Sequence, residues 1–191
     1  MKSRYLAALM VSAAAASVSP AAHAAVTVLG NGVAHSCYQY AEFGGNVPDG
    51  IAACSFALEQ TALPARDRAA TLINRGILRS RSDDPNGAIT DYNSGLVLDS
   101  SLGEGYVDRG AALIVLQRYQ DALTDIDKGI SLNANLPQIA YYDRAVVHEA
   151  LGDIRAAYED YKKATEIQPD FRLAQDQLAR FKVVRRQNDG T

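Results

Sequence analysis

Two cysteines, two histidines and three arginines carry the chemistry to be weighed in the main body of this 191-residue chain. Cys37 and Cys54 stand 17 positions apart and form no C-x-x-C pair, so a thiol-redox factor is the weaker reading. An even cysteine count in an oxidising compartment favours a bridge, and this spacing suits facing positions on an antiparallel helical hairpin. His35 and His148 fall in separate segments, and His23 lies near the N-terminus. No convergent ligand set accompanies any of them, so no metal and no cofactor is expected. A phosphate-binding glycine loop and a nucleophile elbow are also missing from the sequence, and no enzyme activity is expected.

Arg75, Arg109 and Arg144 each precede an acid by the same 16 positions: Asp91, Asp125 and Asp160. A constant separation places each pair in one geometric relation. The guanidinium can lay its apolar stem on a helix crossing and fork onto a carboxylate of the facing helix. A bridge to the preceding acid (Arg109 to Asp91, Arg144 to Asp125) is a close variant. A row of arginines binding an anionic ligand is the weaker alternative, because each arginine has its own acid.

The elements that hold these residues repeat. Gly76, Gly110 and Ala145 align at spacings of 34 and 35, as do Ala88, Ala122 and Ala157. Tyr92, Ile126 and Tyr161 form a further column, and Asn74-Arg75-Gly76, Asp108-Arg109-Gly110 and Asp143-Arg144-Ala145 recur almost letter for letter. Self-similarity at this period is the signature of a solenoid. Within each unit the apolar residues fall at helical spacing in two runs separated by a turn: 83–87, Gln117-Arg118 and Gly152-Asp153. Small residues are expected where the two helices of a hairpin cross, with Gly76 facing Ala88 and Gly110 facing Ala122.

Over residues 69–171 the chain resembles the tetratricopeptide repeat family, through these Gly/Ala columns, Tyr92, Tyr106, Tyr141 and Tyr161, and the ending Ile167-Gln168-Pro169. It departs from the family pattern in placing arginine where an apolar residue usually precedes the crossing residue. The resemblance implies an all-α solenoid of stacked antiparallel hairpins, with units at 69–102, 103–136 and 138–171. Residues 34–68 read as a degenerate N-terminal hairpin and linker, broken by 44–50. Residues 172–187 read as a capping helix with Leu173, Leu178, Phe181 and Val184 inward, and 25–33 and 188–191 as loose tails.

Such a ribbon offers a concave groove lined by each first helix. At the groove places where carboxylate-clamp members of the family carry lysine and asparagine, this chain has Ile73, Ile77, Val107, Ala111, Tyr142 and Val146. The resemblance therefore implies a non-enzymatic scaffold that binds a protein or peptide, an apolar or extended segment being favoured over an acidic C-terminus. The alternative is a self-associating solenoid; monomer and homo-oligomer both remain open.

The formal charge of −3 gives no basic footprint for nucleic acid. Lys2 and Arg4, a short apolar run, Pro20 and Ala22-His23-Ala24 have the order of a signal peptide, residues 1–24, cleaved after Ala24. The run is too short to span a membrane, and no stable insertion is expected. The leader and the lack of an Asn-x-Ser/Thr sequon favour a bacterial periplasm, with secretion as the alternative.

Overall fold

The computed structural model describes residues 24–28, 32–60 and 62–181. The leader expected at 1–24 lies outside these apart from Ala24, as do the tail at 188–191 and residues 182–187, Val184 included. The described residues form α-helices and no strand. In chain order they are α1 (Val33–Phe43), α2 (Val47–Gln60), α3 (Ala65–Arg81), α4 (Pro85–Leu98), α5 (Gly103–Val115), α6 (Tyr119–Ser131), α7 (Pro137–Ala150), α8 (Ile154–Ile167) and α9 (Arg172–Leu178). Each odd helix pairs with the even helix that follows. Successive hairpins stack with α1, α3, α5 and α7 side by side in one layer. None of these helices is long and apolar enough to cross a membrane.

Local chemistry explains the boundaries. Each turn inside a repeat is closed by one residue of positive φ: Asp83 (60°), Gln117 (57°) and Gly152 (85°). These left-handed positions recur with the repeat and satisfy the last carbonyls of α3, α5 and α7. Helices α4 and α8 start on side-chain caps, Asp84 accepting from the Gly87 N–H and Asp153 from the Ala156 N–H, whereas α6 starts after Arg118 without one. Pro85 and Pro137 open α4 and α7, where a missing N–H costs nothing.

The N-terminal unit departs from expectation twice. Only 44–46 breaks it; 47–50 already belongs to α2. Pro48 is tolerated in a first turn, and the Asn46 side chain accepts the Asp49 N–H as a cap. Residues 24–28 are not a loose tail. Ala25, Val26 and Val28 are buried in the same core as Cys37, Cys54, Ile73 and Ile77.

At the other end α9 is one short helix, followed by a turn at 179–180. Leu173, Leu178 and Phe181 pack on the last hairpin's core, Phe181 against the rings of Tyr158 and Tyr161. Hairpin stacking ends by covering an apolar face with this segment, because an uncovered repeat would expose it.

The crossings inside the hairpins are tighter than a Gly-against-Ala contact. A Cβ on Gly76 would lie 2.5 Å from the Tyr92 ring, and one on Gly110 would lie 2.6 Å from Ile126 Cγ1. The glycine is thus filled by the large residue four positions beyond the alanine, one turn along the facing helix. Tyr92 and Tyr161 are wholly buried, and burial raises both phenol pKa values. At the other end of the α5–α6 hairpin, Gly129 of α6 does the same against α5: a Cβ there would meet Val107 Cγ2 at 2.5 Å and the Gly103 carbonyl at 2.9 Å.

The Cys37 and Cys54 sulfurs are bonded at 2.09 Å and join α1 to α2. Both residues are fully buried. Closing a loop of this length should contribute about 3 kcal/mol by chain-entropy reasoning. Thiol titration of the native protein should find no reactive cysteine, and Cys37→Ser should lower the unfolding midpoint; two reactive thiols in the native state would refute the bridge. Gly110→Leu should cost about 1–3 kcal/mol by overpacking, and Ile126→Ala in the same chain should recover part of it. Urea unfolding of the two single variants and the double variant measures this.

Candidate functional site

Three guanidiniums organise the face between stacked hairpins. Arg75 donates from Nε to Asp91 Oδ2 at 2.9 Å and from Nη2 to Asp91 Oδ1 at 2.7 Å. Arg109 makes the same fork to Asp125 (2.7 and 2.7 Å), and Arg144 to Asp160 (2.7 and 2.8 Å). Each remaining Nη1 reaches back to the preceding hairpin, where Arg75 meets Ser55 at 3.1 Å, Arg109 meets Asn93 at 2.7 Å, and Arg144 meets Asp127 at 2.7 Å. The neighbouring partners are therefore Asn93 and Asp127, not the Asp91 and Asp125 of the cross-repeat variant. Those two carboxylates are already engaged by the arginine of their own hairpin.

Position within the repeat explains the geometry. Arginine stands beside the crossing residue, on the flank of the first helix that faces both its own second helix and the one before. The stems of Arg109 and Arg144 pass over the rings of Tyr106 and Tyr141, with guanidinium carbons 5.4 and 5.2 Å from the centroids. Hydrogen bonding to Asp125 and Asp160 raises the pKa values of these two guanidiniums further above the ordinary arginine range. One helical turn on, Arg79 adds a contact to Asp91 at 3.0 Å, and His148 Nε2 lies 3.7 Å from Asp160 Oδ2. His148 is thus a neighbour of the third fork, and His35 lies far from it on α1.

A surface cavity of about 280 Å³ opens beside the second fork, lined by Ile89, Asn93, Arg109, Leu113, Arg118 and Asp121 among others. Its two cations are taken: Arg109 by Asp125, and Arg118 by Asp121 at 2.7 Å. This arrangement does not fit a row of arginines poised for an anion. Among the described residues no cluster of three His, Cys, Asp or Glu side chains has the geometry of a metal site.

The six residues expected to line the groove are placed deeper than a contact surface requires. Ile73 and Ile77 are 0% exposed, lying in one cluster with Val26 and Val28. Tyr142 is covered by Phe171, whose ring lies 5.6 Å away nearly edge-on. Val107, Ala111 and Val146 keep 7–9% exposure and form the floor of the inner face. Ile73, Ile77 and Tyr142 are therefore core residues in this state of the chain. The physical reason is packing: the Ile73 side chain reaches into α4 and α5, where a Cβ on Gly95 or Gly105 would lie 3.0 or 2.6 Å from it, and Phe171 lies against Tyr142.

The residue before each arginine also faces inward. Asn74 is fully buried, with Oδ1 accepting the Val26 N–H at 2.8 Å and Nδ2 donating to the Val26 carbonyl at 2.8 Å. Asp108 and Asp143 occupy the same column and are also buried. The sequence carried a signal for this column, since Asn74, Asp108 and Asp143 recur in the three-letter motif that singles out the arginines. A polar residue repeated at an inward position marks a face that receives something polar.

Comparison with known proteins places this geometry. Residues 139–171 match the tetratricopeptide repeat family profile. Over 90 residues the chain is 31% identical to serine/threonine-protein phosphatase 5 of Rattus norvegicus, a match that covers 47% of this chain and 18% of that protein. The chain thus spans less than a fifth of the length of this relative. Among solved structures it is similar to MamA (25% identity, TM-score 0.61, 78% of this chain and 82% of that one). It is also similar to the first TPR domain of human RPAP3 (24% identity, TM-score 0.57, 60% and 89%). The fold is that of a tetratricopeptide repeat solenoid.

The forks can be measured. Arg109→Ala should lower stability by about 2 kcal/mol, since it strands a half-buried carboxylate and removes the link to Asn93. Arg109→Lys should not restore it, because a point charge cannot fork onto Asp125 while reaching Asn93. A double-mutant cycle with Asp125→Ala should return a coupling of about 1 kcal/mol or more, and a coupling near zero would show the fork to be energetically idle.

Proposed function

We propose that this chain is a non-enzymatic interaction module, exported to the periplasm, which holds a peptide or a segment of a partner protein on the inner face of α3, α5 and α7. The observation that carries the reading is the floor of that face. The first helices lie side by side, and α5 and α7 bring the apolar side chains of Val107, Ala111 and Val146, 7–9% exposed, to that face. Stacked repeats create an extended binding surface without any one of them needing a catalytic group.

The first TPR domain of Spaghetti (RPAP3), bound to the HSP90 peptide SRMEEVD, shares this fold at 24% identity and a TM-score of 0.57, over 60% of this chain and 90% of that one. That likeness concerns architecture. The inner-face chemistry here differs from what an acidic peptide needs, because the places expected to meet it carry apolar residues and the neighbouring Asp108 and Asp143 are acids. An apolar or extended ligand suits a strip of valine and alanine better than a carboxylate-rich one does. Export is supported by the leader pattern of residues 1–24 and by the buried Cys37–Cys54 bridge, a pairing typical of oxidising compartments.

A photo-crosslinking residue at position 111, on the floor, should trap a partner in producing cells, whereas the same residue at Gln120, exposed on α6, should not. Equal labelling from both positions, or none from the floor, would refute an inner-face site. An adduct of two copies of this chain would instead establish the self-associating solenoid. Fractionation of the same cells, with N-terminal sequencing of the protein, should find it in the periplasm beginning at Ala25.

A further inference from the structure

The inner face is already occupied at its N-terminal end by the chain itself. Residues 24–28 lie against α3 with Ala25, Val26 and Val28 buried and Thr27 exposed. Both main-chain groups of Val26 are held by one side chain, Asn74, from 48 positions away. In an extended backbone the N–H and C=O of one residue point to the same side, so a single carboxamide can take both. The double grip and the burial of Val26 and Val28 around exposed Thr27 are those of an extended peptide laid on a receptor. Such a grip reads backbone, and the pockets for alternate side chains read size and apolarity.

Only the first repeat can do this. A carboxamide carries an N–H donor and a C=O acceptor side by side, a pairing that the carboxyl groups of Asp108 and Asp143 do not reproduce. The segment is also lightly attached. One side-chain amide and three small apolar side chains hold it, whereas α1 behind it is tied to α2 by the disulfide. A segment with so few anchors opens at far lower free energy than the helices beneath it.

We infer that the α3 end of the inner face is a receptor for extended aliphatic backbone, filled in cis by residues 25–28, and that a partner segment with small or β-branched aliphatic side chains at alternate positions binds by displacing them. This rests on the inner-face reading above and adds the chemistry of the partner. A tethered occupant acts at an effective concentration of about millimolar, so the partner must outbid a weak ligand that never diffuses away.

The probe is a labelled, end-capped peptide with the sequence of residues 24–30, titrated by fluorescence anisotropy into the full chain. Val26→Asp with Val28→Asp should expel the cis segment and tighten peptide binding by about tenfold or more over the unaltered chain. Adding Asn74→Ala or Asn74→Asp to that chain should weaken it again by about tenfold. Equal binding by the unaltered and the Val26/Val28 chains, binding indifferent to Asn74, or no binding by any chain overturns the inference. If the Val26/Val28 chain loses its helical circular dichroism, hydrogen exchange on the unaltered chain decides. Millimolar peptide should speed exchange of the Val26 amide while the α3 amides stay protected, and an unchanged Val26 rate overturns the inference. A partner trapped at position 111 alongside failure of these peptide arms removes the cis-occupant inference and leaves the inner-face reading intact.

Discussion

A guanidinium forked onto the carboxylate of its facing helix is the contact on which the stacking depends. Two parallel N–H···O bonds admit one register, and a slip of one helix by a single residue would break both. The third N–H of the same arginine reaches the hairpin before it, so one side chain sets the pairing within a repeat and the spacing between repeats. Most repeats of this kind place an apolar residue there, which packs without specifying direction. Here the apolar part of the task passes to the arginine stem over Tyr106 or Tyr141 and to the large residue that fills the crossing glycine.

The N-terminal hairpin lacks that device. Neither α1 nor α2 carries a matching arginine and acid; instead three arginines of α3 reach back to the hairpin, Arg75 to Ser55, Arg68 to the Leu58 carbonyl and Arg81 to the Tyr40 carbonyl. The disulfide between fully buried Cys37 and Cys54 takes the place of the fork, a covalent tie where no charge pair fixes the register. The same unit carries the strap at residues 24–28, so the least regular end of the solenoid is the end where the inner face is covered by the chain. The second and third repeats keep a buried aspartate at matched positions, Asp108 and Asp143, while the places of Val107 and Ala111 pass to Tyr142 and Val146.

Several features were legible in the residues. Columns at spacings of 34 and 35 determined the hairpins of α3 to α8, because periodic small residues have no other use than close helix crossings. The constant interval of 16 between Arg75, Arg109, Arg144 and their acids brought each pair together, since a fixed offset across a hairpin is a fixed vector in space. Less legible was the break at 44–50, where Pro48 and Gly50 read as breakers although a first turn tolerates both. The groove residues were read from their places in the repeat alone, and Ile73, Ile77 and Tyr142 are sealed.

By itself, then, the sequence determined whatever is periodic: the helices, the stacking, the crossings and the forks, all of which follow from interactions repeated at one interval. Only the tertiary structure decided what lies over the inner face. Residues 24–28 precede every repeat and Phe171 is the last residue of the third, and they meet Asn74 and Tyr142 through contacts made once. A contact made once, between parts of the chain with no common period, leaves no pattern to read. It exists because a solenoid ends, and its ends must be covered by whatever chain remains.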